Sequence, residues 1–212
     1  MLTPRSILWR LGYNLNRLSA GYWDRDLAFL DVYARVREHT LVKEHRAYIL
    51  HQFAHAARHV PGDFAQVGVY KGGTARMVAE VLDGTGKKVL LFDTFEGLPG
   101  QTEMFADTSV EAVRSLFNDY SNVEFYQGYF PDTAHEVRNT FSLVYLDADL
   151  EQSIADGLDF FYPKMSPGGF IVIDDYGSKY WPGVKVATDS FAKKAAVHPI
   201  HSASGQCILV KR

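Results

Sequence analysis

From residue 63 onward, short apolar runs rich in β-branched and aromatic residues alternate with amphipathic stretches. The runs lie at 63–69, 88–93, 122–127, 141–147 and 169–174, with helical patterns at 73–82, 109–119, 132–139 and 152–164 between them. Strands that alternate with helices make βαβ units, and these build a mostly parallel sheet. The end of the chain breaks the alternation. PGVKVATDSFAKKA (182–195) reads as a helix, and HPIHSA and QCILVKR flank Ser204-Gly205, a hairpin signal. The expected fold is α/β, a seven-stranded, mostly parallel sheet closed by an antiparallel hairpin.

The first sixty residues add helices. Leu27, Leu30 and Val36 recur at helical spacing within 24–39, where Asp24 or Asp26 suits the N-cap, and a second helix over 43–59 stops before Pro61-Gly62. This divides the chain into a helical cap or oligomerisation segment, 1–60, and a sheet domain, 61–212. A chain of 212 residues holds one full core. Its net charge of −3 argues against broad nucleic-acid binding, and a lone cysteine, Cys207, fits a reducing, cytoplasmic compartment. No apolar run reaches the ~18 residues a membrane span needs. RSILWRLGYNLNRLS (5–19) is basic and amphipathic. Attachment to a membrane surface is one reading of it; we take the other, a helix that packs on protein and supports a homo-oligomer. No long apolar core leads to a small-residue cleavage site, so no secretory signal is expected.

In an open parallel sheet, ligands bind outside the carboxyl ends of the strands. Those ends carry the chemistry here. GDFAQVGVYKGGTA (62–75) is a glycine-rich turn after a strand, with Gly68, Gly72 and Gly73 around it and Thr74 at the helix start. Glycine permits close approach of a ligand to backbone, and helix N-terminal N–H groups favour an anion such as a carboxylate. The spacing is neither GxGxxG nor a P-loop. A simple tight turn is the plain alternative. Asp93 ends the next strand, where an acid can accept both ribose hydroxyls; its alternative is capping of the Thr94–Gly97 turn. Gln127-Gly128, ending the third strand, then falls near the base of a nucleoside cofactor.

Asp147 and Asp149 leave the fourth strand, Asp174 and Asp175 the fifth. Carboxylates this close repel one another without a cation or protons. Oxygen ligands with no nearby Cys or His favour Mg²⁺, with Mn²⁺ or Ca²⁺ as alternatives. Helix capping explains one aspartate; four across two strand ends point to a metal site.

Taken together, these strings resemble the macrocin/mycinamicin-type sugar O-methyltransferases. The resemblance covers residues 40–190 and rests on PGDFAQVGVYKGGTA, FDTFEGLP, GYFPDT (128–133), LDAD, YPKMSPGGFIVIDDY (162–176) and WPGVKVATDSF (181–191). It implies a Rossmann-like class I methyltransferase fold, S-adenosyl-L-methionine as cofactor and a sugar or other small hydroxyl compound as acceptor. It implies metal coordination, Mg²⁺ or Mn²⁺, by Asp147, Asp174 and Asp175. TLVKEHR (40–46) is similar to the family's segment that folds over the cofactor, which assigns Thr40 and Leu41 to the methionine end. Gln66, Gly68, Tyr70, Gly72, Gly73, Thr74, Asp93, Thr94, Gln127, Gly128 and Asp147 complete the expected cofactor set. Asp147 is the expected ligand and base, with Asp149 as substrate contact or supporting partner.

Three departures qualify the match. Catechol-type relatives use a lysine three positions after the first metal aspartate, and Leu150 stands there. The family has an acid where Gln66 stands, and Trp-Arg where Tyr70-Lys71 stands. Gln66 is the hint for a second reading, a non-catalytic binding protein on the same fold. A dinucleotide oxidoreductase is a third, opposed by the missing GxGxxG and the four aspartates. His45, His51, His55 and His59 share one helix without an HExxH pattern, so surface or packing roles are expected. PGQTEMFADTSV (99–110) is expected to overhang the acceptor pocket as a lid.

Overall fold

The computed structural model describes residues 22–98, 100 and 103–212. The basic amphipathic stretch 5–19, and Pro99, Gln101 and Thr102 of the expected lid, lie outside the described residues. Among the described residues no helix is long and apolar enough to cross a membrane.

A 3₁₀ turn, Tyr22–Arg25, leads into α1, Leu27–Val36. Asp26 caps it: its Oδ1 accepts a hydrogen bond from Phe29 N at 3.0 Å. After a second 3₁₀ turn, Arg37–His39, comes α2, Glu44–Ala57. The sheet domain then runs β1 Asp63–Val67, α3 Gly73–Leu82, β2 Val89–Asp93, α4 Val110–Ser115, β3 Val123–Gln127, β4 Phe141–Leu146, α5 Glu151–Phe161, β5 Met165–Ile173, α6 Pro182–Ala195, β6 Ile200–His201 and β7 Cys207–Val210. The strand order is β3-β2-β1-β4-β5-β7-β6. β1 to β5 are parallel, and β7 runs antiparallel to both β5 and β6. This is the expected mostly parallel sheet with a terminal hairpin.

One expected element differs. The segment 132–139 forms only a 3₁₀ turn, Asp132–Ala134. Just two of its apolar side chains, Ala134 and Val137, are buried, too few to hold an amphipathic helix on the sheet. The fifth strand also begins earlier than expected, at Met165, because a register shift between Phe141 and Leu143 lets the chain around Gly168 and Gly169 join the ladder.

The central strands are apolar on both faces because helices cover both. Their alternation sorts the core into two clusters. Phe64, Leu91, Leu143, Tyr145 and Val172 face one side, together with Phe29, Leu50, Ala54, Met77 and Val78 from α1, α2 and α3. Ala65, Leu90, Phe92, Val144, Leu146, Ile171 and Ile173 face the other, with Ile154, Leu158, Phe161 and Val184 from α5 and α6. The N-terminal helices therefore share a core with the sheet.

Candidate active site

Hydrogen bonding runs one residue past the strands and sets the site in a row. The N–H groups of Gly68, Asp147 and Asp174 donate to the carbonyls of Phe92, Val67 and Leu146 at 3.0, 2.9 and 2.8 Å, and Gly128 donates to Asp93 at 2.9 Å. Gly128, Asp93, Gly68, Asp147 and Asp174 thus stand side by side along the carboxyl edge. The strand order reverses between β1 and β4, the place where such sheets bind ligands. A cavity of about 420 Å³ opens there.

The backbone along this edge is unusual. Each parallel strand is followed within three residues by a positive φ: Gly68 (82°) after β1, Phe95 (56°) after β2, Gly128 (126°) after β3, Asp149 (58°) after β4 and Asp175 (51°) after β5. Gly68 is also fixed by space. A Cβ there would lie 1.9 Å from the carbonyl oxygen of Asp147, so only glycine lets β1 and β4 approach this closely.

The cavity brings together most of the expected residues. Thr40, Leu41, Gly68, Tyr70, Thr74, Asp93, Thr94 and Gly128 line it, and so do Asp147, Asp149, Asp174 and Asp175. Gln66, Gly72, Gly73 and Gln127 do not. Gly73 serves packing: a Cβ would meet the carbonyl oxygens of His39 at 2.7 Å and Val36 at 2.8 Å, so its absence lets the end of α1 press on the start of α3. Gln66 is fully buried beneath the turn. Its Nε2 donates to Gly68 O at 2.8 Å and to Thr74 Oγ1 at 2.9 Å, tying the strand end to the helix start.

Asp93, expected at the ribose with turn capping as its alternative, holds backbone from two turns. Its Oδ2 accepts from the N–H groups of Val69 and Tyr70, and its Oδ1 accepts from Phe95 N at 2.8 Å. The Thr94 hydroxyl lies 3.4 Å from the same Oδ1, so of a carboxylate's roughly four acceptor sites at most about one is open to a ligand. Two residues of the 99–110 segment, Asp107 and Thr108, bond to the glycine turn after β1. Asp107 accepts from Tyr70 Oη at 2.8 Å and pairs with Lys71 Nζ at 2.5 Å, while Thr108 Oγ1 donates to Tyr70 O at 3.0 Å. This sets the Phe105 ring edge-on to Tyr70 and into the cavity lining.

At the β4 and β5 ends, one carboxylate oxygen each from Asp147, Asp174 and Asp175 lies within 4.8 Å of the others. Tyr145 Oη, buried below, donates to Asp174 Oδ2 at 2.8 Å. Sequence reasoning missed Arg46. From the first turn of α2, its Nη2 reaches Asp174 Oδ1 at 2.5 Å and donates to Asp175 Oδ1 at 2.8 Å. Loss of solvent, reinforced by the neighbouring carboxylates, pushes Asp147 well above the usual carboxylate range, and burial pushes Asp174 up against the opposing pull of Arg46. Burial, with Asp175 adding to it, pushes Asp149 up to about 7. Carboxylates this reluctant to ionise together suit a cation. Asp174 Oδ1 is buried and, though ion-paired with Arg46, makes no aligned hydrogen bond. No His or Cys lines the cavity among the described residues. The all-oxygen donor set fits a hard divalent ion.

The helix-borne histidines are not drawn into the site. His51 is buried against Phe29 and stacked edge-on with His55, a packing role as expected. Cys207 is buried in β7.

Comparison with known proteins places this geometry among relatives. The family model for macrocin-O-methyltransferase (TylF) matches residues 35–212. The chain is 34% identical to 8-demethyl-8-(2,3-dimethoxy-alpha-L-rhamnosyl)-tetracenomycin-C 4'-O-methyltransferase of Streptomyces olivaceus, over 55% of this chain and 54% of that protein. It is 32% identical to demethyldecarbamoylnovobiocin O-methyltransferase of Streptomyces niveus, over 64% and 60%. The chain spans little more than half the length of the curated relatives it matches. Among solved structures, the O-methyltransferase NovP superposes with a TM-score of 0.72 at 28% identity, covering 82% of each chain. The calicheamicin methyltransferase CalS11 superposes at 0.67 with 16% identity, covering 98% of this chain and 93% of that one, a likeness of fold.

Proposed function

The chain belongs to the macrocin-O-methyltransferase family, and from that premise we propose that it moves a methyl group from S-adenosyl-L-methionine to a hydroxyl of a small acceptor. The acceptor class is a sugar or another vicinal diol, and a divalent metal, Mg²⁺ or Mn²⁺, serves the acceptor end. One observation carries the reading: a single cavity joins a glycine turn and a strand-end acid to four clustered carboxylates. The relatives' names, a rhamnosyl-tetracenomycin methyltransferase and a mycinamicin III 3''-O-methyltransferase among them, support a sugar acceptor.

S-adenosyl-L-methionine supplies the methyl group on a sulfonium. Asp147, Asp174 and Asp175 would hold a divalent ion, whose charge would lower the pKa of an acceptor hydroxyl. The chain's own residues align the partners, the main requirement of an in-line displacement. The N-terminal N–H groups of α3, with Thr74, hold the methionine carboxylate. Asp93 accepts a ribose hydroxyl on its remaining site. Thr94 and Gly128 frame the nucleoside. Thr40, Leu41 and Val42 cover the methionine end and exclude water. Leu150 offers no base, so a carboxylate takes the hydroxyl proton. Asp147 is one carrier, and Asp149, also on the cavity wall, is the other.

Calorimetric titration with S-adenosyl-L-methionine, with and without Mg²⁺ and with NAD as control, tests this. Binding of S-adenosyl-L-methionine and not NAD, followed by Mg²⁺-dependent turnover in a panel of sugars and diols, supports the proposal. No binding in either condition overturns it in favour of a non-catalytic protein on this fold. Binding of NAD alone favours an oxidoreductase.

A further inference from the structure

Among the described residues, Arg46 is the one cationic side chain that lines the cavity, and it stands among four carboxylates. We propose that Arg46 is a displaceable counter-ion: it and the divalent metal use the same oxygens of Asp174 and Asp175 in turn. Metal entry then moves the guanidinium and releases the start of α2 from the sheet edge. This inference rests on the metal-dependent reading above.

Three observations carry it. Arg46 touches two of the three residues whose oxygens converge closely enough to hold an ion. One monovalent guanidinium faces the crowded carboxyl groups of Asp147, Asp149, Asp174 and Asp175, and a dication would balance more charge as they ionise. The seat is also imperfect. A permanent buried arginine–carboxylate pair is usually bidentate with its hydrogen bonds satisfied. Here Arg46 Nε is buried without a hydrogen-bond partner, and the Nη2 contact with Asp174 Oδ1 lacks the alignment of a hydrogen bond. The side chain fills the place of a cation without fitting it.

The connection of Arg46 gives the exchange a consequence. Three residues separate it from Val42, and Thr40, Leu41 and Val42 all line the cavity. Val42 is anchored on the far side, where its carbonyl accepts from Tyr33 Oη at 2.9 Å. Release of Arg46 therefore loosens one tether of the cavity cover while the other holds.

The test is Mn²⁺ titration of the full chain, read by electron paramagnetic resonance of the free ion, for wild type, Arg46→Met and Arg46→Lys, with Asp174→Asn as site control. The proposal expects Arg46→Met to bind Mn²⁺ about tenfold or more tightly than wild type, because a full charge beside the ion is gone. Arg46→Lys should fall between them. Equal or weaker binding in Arg46→Met, with wild type binding, makes Arg46 a fixed support of the metal ligands and overturns the inference while the metal reading stands. Absence of Mn²⁺ binding from both proteins defeats the metal reading itself. Should Arg46→Met fail to fold, hydrogen exchange on wild type decides. Mg²⁺ should speed exchange over residues 44–48, and unchanged or slower exchange there refutes displacement.

Discussion

Substituting Gly68 by alanine tests whether the close approach of β1 and β4 builds the site. Two costs arise. Gly68 has φ +82°, and a left-handed backbone costs an L-residue about 1–2 kcal/mol. The added Cβ would fall 1.9 Å from the Asp147 carbonyl oxygen, an atom of the backbone that cannot rotate away. Strand ends must part, and overpacking of this kind costs roughly 1–3 kcal/mol. The sum is about 2–5 kcal/mol, a large fraction of the stability of a domain. Gly84→Ala is the matched control: φ is +69° and nothing lies within 4 Å of its Cβ, so only the backbone penalty applies. With a urea slope of about 2 kcal/mol per molar, Gly68→Ala should lower the unfolding midpoint by about 1–2.5 M, well beyond Gly84→Ala. Urea unfolding followed by circular dichroism measures both. If the two variants fall within about 0.5 kcal/mol of each other, the steric argument for the strand-end glycine is wrong.

Three further outcomes follow from contacts described above. Burial, with His55 adding to it, lowers His51 to about 4, so its neutral form is the one that folds. Its contribution is intact above the unfolded value of about 6.5 and is lost as pH falls toward 4, up to about 3 kcal/mol; urea unfolding at pH 7.5 and 4.5 should show the drop, and His51→Gln should flatten it. Tyr145→Phe removes the donor to Asp174 Oδ2 and should destabilise the metal-free protein by about 1–3 kcal/mol in the same assay. Asp107→Ala cuts the latch to Tyr70 and Lys71, and should speed S-adenosyl-L-methionine release in stopped-flow displacement while leaving the unfolding midpoint nearly unchanged.

The sheet was legible because its signals are local. Apolar runs of strand length, broken by helical stretches and glycine turns, recur in order, and Asp147 and Asp174 stand one residue past the ladder. Register then does the rest: Leu146 pairs with Val67 and with Ile173, so Gly68, Asp147 and Asp174 must be neighbours. Arg46 was not legible. It sits in an ordinary helix start, and its partner Asp175 lies 129 residues away in the chain. The packing role of Gly73 was hidden for the same reason, since the carbonyls it admits belong to Val36 and His39, outside the motif. Asp93 carried two readings in the sequence, ligand contact and turn cap. The structure shows the cap, with Phe95 N donating to Asp93 Oδ1, and adds bonds from Val69 and Tyr70 after β1 that a local reading of the sequence does not contain. The 132–139 segment misled because its residues favour helix locally while offering the core little to bury.

The left-handed residues at the strand ends have a consequence for how such a chain drifts. At Asp149 and Asp175 glycine would relieve about 1–2 kcal/mol of backbone cost each, and it would also remove a carboxylate from a crowded cluster. Selection for heat tolerance alone therefore runs downhill toward glycine at both positions. A gene copy released from its chemistry should shed these acids early while its fold persists or even hardens. In any thermostability screen of this protein, gains at residues 149 and 175 are the ones to check first for lost turnover.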